Sequence, residues 1–174
     1  MSWRVKDRKT AFENRILRVS LETVETPGGI EGSWTVVEVG DGVAVLPVDA
    51  DGSVHLISQY RPAIGKRAWE APAGRMEEGE EPIETARREL AEEAGFRAET
   101  IDYLGVCFPL DGICRHRVHL CRATRLTTCA TGREVFEDIE SRRFSHLELT
   151  NLIKQGEIEC GVLSALLLRH WARS

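Results

Sequence analysis

The sequence predicts an α/β (α+β) fold, an α/β/α sandwich built on a mixed β-sheet. Three observations carry this. β-Branched runs fill the first third of the chain, an amphipathic helix with clear ends lies near the middle, and strand-like runs then return before two closing helical segments. The 174 residues, 42% hydrophobic and 29% charged, are enough for one buried core and too apolar for disorder.

The elements follow in order. "RILRVSLETVET" (15–26) roughly alternates, with "PGG" as its turn, and "SWTVVEVG" (33–40) is β-branched. "GVAVLPVDADGSVHLISQYR" (42–61) reads as two strands joined at the "DADG" turn, and "AWEAPAG" (68–74) as a short strand ending in a Pro/Gly loop. Pro82 to Ala94 reads as helix, with Pro82 in the first turn and Gly95 as the stop. Ile83, Ala86, Leu90 and Ala94 form its apolar stripe, which leaves the glutamates on the other edge. "IDYLGVCFPL" (101–110), "RHRVHLCRATRL" (115–126) and "IESRRFS" (139–145) are candidate strands. "SHLELTNLIKQG" opens a helix at a Ser145 cap with Glu148 three residues on, and "GVLSALLLRHWARS" closes the chain as helix.

A net charge of −5 argues against a surface built for nucleic acid, so no nucleic-acid partner is expected. Five cysteines without a CxxC pair suit free thiols in a reducing compartment. "MSWRVKDRK" lacks an apolar signal region, and the longest apolar runs are too short to span a bilayer. A cytoplasmic location with no membrane partner is the expectation.

The unusual stretch is "AGRMEEGEEPIETARRELAEEAGF" (73–96). On a helix, Glu89 and Glu93 are i and i+4, and Glu89 and Glu92 are i and i+3, so like charges adjoin. Arg87 and Arg88 lie on the N-terminal side and neutralise only part of this charge. On charge content alone a solvated acidic face would suffice. Against it stand the "APAG" loop, which lets backbone approach a ligand closely, and the carboxylate set, which suits a hard divalent cation.

The spacing decides further. Gly74, five residues, Glu80, seven residues, then "RELAEEAGF" from Arg88 to Phe96 resembles the Nudix box, G-x5-E-x7-R-E-U-x-E-E-x-G-U, at every defined position. The resemblance implies the Nudix α/β/α fold and hydrolysis of a nucleoside diphosphate linked to another moiety. It implies divalent magnesium (Mg2+) or manganese (Mn2+), with Glu89 and Glu93 as main ligands, Glu92 assisting and the Ala73 carbonyl contributing. It makes Arg88 the residue that orients a glutamate, and Glu80 a structural partner. A dication there neutralises diphosphate oxygens and acidifies water. A Nudix module that binds nucleotide without cleaving it is the rival, which loss of a box glutamate would favour; none is lost.

Beyond the box, "VAVLPVDADGSVHLISQYRPA", "WEAPAG" and "IKQGEIECGVLSALLLRHW" resemble the ADP-ribose pyrophosphatase branch and its nucleoside diphosphate sugar relatives. That likeness makes Arg61 and Glu70 substrate-binding residues, although Arg61 also reads as a strand-end surface arginine. It places the general base in "GREVFEDIE", with Glu137 the first candidate and Glu134 the second. It implies a strand layer over residues 1–40 that dimerises the protein, ahead of a Nudix domain over 41–174. Trp3, Phe12 and Trp34 fall in that layer, for base stacking or for core packing. One departure matters: where ADP-ribose hydrolases carry a loop proline, this chain has Asp111 in "FPLDGICRH". ADP-ribose is the first substrate implied, with GDP-mannose or another NDP-sugar open.

"CRHRVHLC" suggests zinc through Cys114, His116, His119 and Cys121. On one strand the first two face one side and the last two the other, which disfavours a single tetrahedral site.

Overall fold

The structure is a computed structural model that describes residues 2–132 and 138–173. In chain order the elements begin with β1 (Arg4–Glu13), β2 (Leu17–Glu25), β3 (Glu31–Val39), β4 (Gly42–Pro47) and β5 (Val54–Arg61). They continue with β6 (Lys66–Glu70), β7 (Ala73–Arg75), α1 (Pro82–Ala94), β8 (Phe96–Cys107) and β9 (Cys114–Arg115). β10 (Val118–Thr128), β11 (Ile139–Phe144), α2 (His146–Gln155) and α3 (Gly161–Trp171) complete the chain. They group into two compact units, Met1–Asp41 with Phe108–Arg117, and Gly42–Cys107 with Val118–Ser174.

The first unit is a four-stranded sheet, β1-β2-β3-β9, antiparallel except where β9 runs parallel to β3. Cross-strand register puts Arg8 and Trp34 beside Glu22, and Arg115 beside Glu38. The buried Glu22 carboxylate accepts two bonds from Arg115, both at 2.7 Å, and meets Arg8 at 2.7 Å. Hydrogen bonding from Arg115, against the penalty of burial, holds Glu22 below the usual carboxylate range. Arg115 is therefore committed to an internal ion network. β1 is exposed along its whole length, so it shows no apolar alternation from which a strand would be read.

In the second unit β4 explains the architecture. Its six residues are all buried, and alternate side chains leave opposite faces. Val43 and Val45 join Ala86, Leu90 and Ala94 of α1 with Cys121 and Ala123 of β10. Ala44 and Leu46 join Leu56, Phe144, Leu149 and the α3 leucines 163, 166 and 167. A strand covered on both faces reads as a continuous apolar run, as "GVAVLPV" does. Each fully buried leucine contributes about 1.5–3 kcal/mol. β4 lies in the mixed sheet β7-β4-β10-β8, parallel to β10 and antiparallel to β7. A second, antiparallel sheet has the order β11-β5-β6.

α1 starts where Pro82 requires, with the Glu81 N–H donating to Glu84 Oε2 at 3.1 Å. It stops at Gly95, whose φ of 71° lies in the left-handed region that glycine tolerates. The Ser145 capping box opens α2, with Ser145 N–H on Glu148 Oε2 at 2.9 Å and Glu148 N–H on Ser145 Oγ at 3.3 Å.

Three expectations need correction. "RHRVHLCRATRL" is not one strand: Cys114–Arg115 pairs with β3, and a new strand starts at Val118. Cys114 and Cys121 thus belong to different sheets, and the zinc reading loses its common strand. β8 begins at Phe96, because main-chain pairing with β10 extends to Thr128 opposite Phe96 regardless of side-chain pattern, and it ends before Phe108. Ile83 is exposed, whereas Glu89 and Glu93 are buried on the inner side of α1. The glutamates do not sit on a solvated edge, because the Gly74 strand covers them.

Candidate active site

Glu89 and Glu93 lie one helical turn apart on α1 and are only 7% and 5% exposed. Carboxylates at that burial need partners, since an unpaired buried charge is costly. Glu93 Oε2 accepts the Ala73 N–H at 2.7 Å. Ala73 thus meets Glu93 through its amide N–H; its position in β7, antiparallel to β4, fixes that direction. Glu89 presses against Gly74 so closely that a Cβ there would stand 1.8 Å from Glu89 Oε1. Any larger residue at position 74 would force the Glu89 carboxylate to move.

Arg88 supplies the positive charge. Its Nη1 donates to Glu89 Oε1 at 2.6 Å and to Glu92 Oε2 at 3.2 Å. Nε and Nη2 each reach the Glu80 carboxylate at 3.2 Å, and Nη2 also donates to the Arg75 carbonyl at 3.0 Å. Hydrogen bonding from Arg88 lowers the Glu80 pKa to about 2, despite some loss of solvation. Sequence spacing underestimates this residue, because i to i+4 neighbours on the helix do not reveal the reach back to Glu80 and Arg75.

A cleft of about 440 Å³ opens among Ala73, Gly74, Arg88, Glu89, Glu92 and Glu93. Gly132 also lines it, and its N–H donates to the Glu92 carbonyl at 3.2 Å. Nothing local in the sequence marks Gly132, since its partner lies forty residues earlier. Among the described residues, no three His, Cys, Asp or Glu side chains converge as a ready-made cation cage. The acids are instead turned to Arg88 and to the Ala73 N–H. The donor set still fits a hard divalent cation: three carboxylates, two of them buried, line one cleft, Gly74 permits close approach to Glu89, and a guanidinium bonds two of the three.

Arg61 closes β5 and Glu70 closes β6; the register sets them opposite Lys66 and Ile57, so it is their long side chains that meet. Arg61 Nε and Nη2 form a fork on the Glu70 carboxylate at 2.8 and 2.6 Å. Hydrogen bonding to Glu70 raises the arginine pKa, with a smaller contribution from the negative field of Glu93, so this pair lies within electrostatic reach of the acidic cluster. Glu134 and Glu137 lie outside the described residues. The flanking Asp138 is bonded to Arg67 of β6 through its carboxylate and its carbonyl.

Comparison with known proteins accords with this geometry. The NUDIX domain family matches residues 39–158. The chain is 32% identical over 131 residues to an ADP-ribose pyrophosphatase of Bacillus subtilis (strain 168), covering 75% of this chain and 71% of that one. It is 31% identical over 127 residues to a methanol dehydrogenase activator of Bacillus methanolicus, covering 73% and 69%. A solved structure described as an ADP compounds hydrolase superposes with a TM-score of 0.87 at 19% identity, over 99% of this chain and 95% of that one, which shows a shared fold. No helix among the described residues is long and apolar enough to cross a membrane. With the family matched over most of the chain and the box running from Gly74 in β7 through α1 to Phe96, the chain belongs to the NUDIX family and is a Nudix hydrolase.

Proposed function

We propose that the protein hydrolyses the diphosphate bond of a nucleoside diphosphate sugar in a metal-dependent reaction, with ADP-ribose giving AMP and ribose 5-phosphate. The observation that carries this reading is the burial of Glu89 against Gly74 and of Glu93 against the Ala73 N–H in one cleft. Burying carboxylates is unfavourable unless a cation compensates, and the relatives include an ADP-ribose pyrophosphatase.

Glu89, Glu93 and Glu92 would hold the metal, magnesium or manganese, with the Ala73 backbone beside them. The chemistry a divalent metal supplies there is neutralisation of the diphosphate oxygens and acidification of the attacking water. Glu70 holds Nε and Nη2 of Arg61 and so fixes the guanidinium plane, and Arg61 would offer its remaining Nη1 donors to the diphosphate. Arg88 holds Glu89 and Glu92 in register. Glu137, or failing it Glu134, takes the proton from water. Asp111 in place of the loop proline supports a second reading, GDP-mannose or another NDP-sugar as preferred substrate.

Exposed Trp3, Val5, Phe12, Leu21 and Trp34 in the first unit support a homodimer formed through residues 1–40, since such a patch favours association. Free thiols at all five cysteines support a cytoplasmic protein.

A chromatographic screen for nucleotide products from ADP-ribose, GDP-mannose, UDP-glucose, NADH, FAD and diadenosine polyphosphates, with Mg2+ and with chelator, tests the reading. Cleavage of at least one compound only when metal is present is expected. Metal-independent turnover, or none across the panel, would refute it.

A further inference from the structure

We infer that Arg88 is a built-in counter-ion for the acidic cluster, which a dication must displace from Glu89 and Glu92 while Glu80 keeps hold of it. This rests on the metal-dependent reading above and goes beyond an orienting role. In the structure one guanidinium is shared between two sets of acceptors. Nη1 faces Glu89 at 2.6 Å and Glu92 at 3.2 Å, while Nε and Nη2 face Glu80 and the Arg75 carbonyl. The first set holds residues that would bind metal; the second does not.

A cation entering beside Glu89 and Glu92 competes with Nη1 for the same oxygens. The two positive charges also repel at short range in a partly buried site. Releasing Nη1 leaves Arg88 still bonded through Nε and Nη2, so the side chain need not enter water to make room. Glu80 and Arg75 thus form the resting place of the displaced arginine. The apparent metal affinity then equals the intrinsic affinity of the carboxylates less the cost of breaking the Nη1 contacts. It also follows that the metal-free protein avoids the mutual repulsion of Glu89, Glu92 and Glu93.

The two halves of the guanidinium site predict opposite effects on metal binding. Arg88→Gln removes the competitor, so Mn2+ should bind the substrate-free protein more tightly, by roughly tenfold, the scale of one lost charge-assisted hydrogen bond. The same variant should melt at lower temperature in chelator and gain more from added Mn2+ than wild type. Glu80→Gln removes the resting place, so Arg88 grips Glu89 and Glu92 harder and Mn2+ binding should weaken by a similar factor. If Arg88 only orients the ligands, both variants weaken binding.

The experiment is calorimetric and paramagnetic-resonance titration of Mn2+ into full-length wild type, Arg88→Gln and Glu80→Gln, with melting in chelator alongside. Shifts of opposite sign support the exchange; shifts of the same sign, or none, overturn it while the hydrolase reading stands. Should Arg88→Gln not fold, Arg88→Lys replaces it, since one ammonium cannot span both sets of acceptors, and a smaller tightening is expected. Absence of Mn2+ binding to wild type overturns the exchange and the metal-dependent reading together.

Discussion

Among the described residues two clusters bring arginine to buried glutamate, and they differ in how the guanidinium groups are shared. In the first unit Arg8, Arg18 and Arg115 meet Glu13, Glu22 and Glu38 across neighbouring strands, so each guanidinium is matched by a carboxylate. In the second unit Arg88 faces Glu80, Glu89 and Glu92, and the nearby Glu93 accepts a backbone N–H. A matched network completes itself and holds strands in register. In the second cluster one guanidinium is shared among three carboxylates, two of which line a cleft with Glu93 where a ligand cation can reach them. Burial of glutamate alone therefore does not identify a site; carboxylates gathered along a cleft do.

Substitutions break this comparison in graded ways. The largest effect is expected from Glu93→Gln, which should lower turnover by at least about a hundredfold, the scale for losing one electrostatic element of an active site, with melting close to wild type. Near-normal turnover would remove Glu93 from the acid-rich set. Next is Arg115→Ala, which leaves the buried Glu22 with Arg8 as its remaining guanidinium partner and should cost about 2 kcal/mol of stability, read by denaturant unfolding, with Mn2+ affinity unchanged. Adding Glu22→Gln should recover much of that loss, because the charge needing compensation is gone; no recovery would show that packing, not charge, explains the cost.

Gly74→Ala should cost about 1–3 kcal/mol through overpacking and displace Glu89, because the new Cβ would meet Glu89 Oε1. Reduced Mn2+ binding is the discriminating readout. The acid limb sharpens the comparison further. The Glu80 pKa, lowered by Arg88 from 4.5 to about 2, means its stabilisation is fully present above pH 4.5 and is lost as pH falls through about 2. Glu80→Gln should flatten the stability profile in that window; an unchanged profile would remove the Arg88 contact from the account. The smallest effect is Ser145→Ala, outside both clusters, at about 1 kcal/mol for a lost cap, measured by thermal melting.

Legibility in the sequence follows the range of the interaction. The ends of α1 were readable because Pro82 and Gly95 act on their own turn, and so was the Ser145 cap with its partner three residues on. β4 was readable as a strand because both of its faces are apolar. β1 was not, since all its residues are exposed and main-chain pairing with β2 alone makes it a strand. The break within "CRHRVHLC" was hidden too, because its two parts pair with β3 and with β4 and β8, far away in the chain.

By itself the sequence determined which groups gather on α1: the spacing of Glu89, Glu92 and Glu93 fixes their angular positions, since helix geometry is local. The tertiary structure alone decided their surroundings. It buried Glu89 against Gly74 and Glu93 against the Ala73 N–H, bent Arg88 back to Glu80, forked Arg61 onto Glu70, and gave Arg115 to Glu22. Electrostatic balance depends on distance in space and on exclusion of water, and neither quantity is set until distant strands have packed.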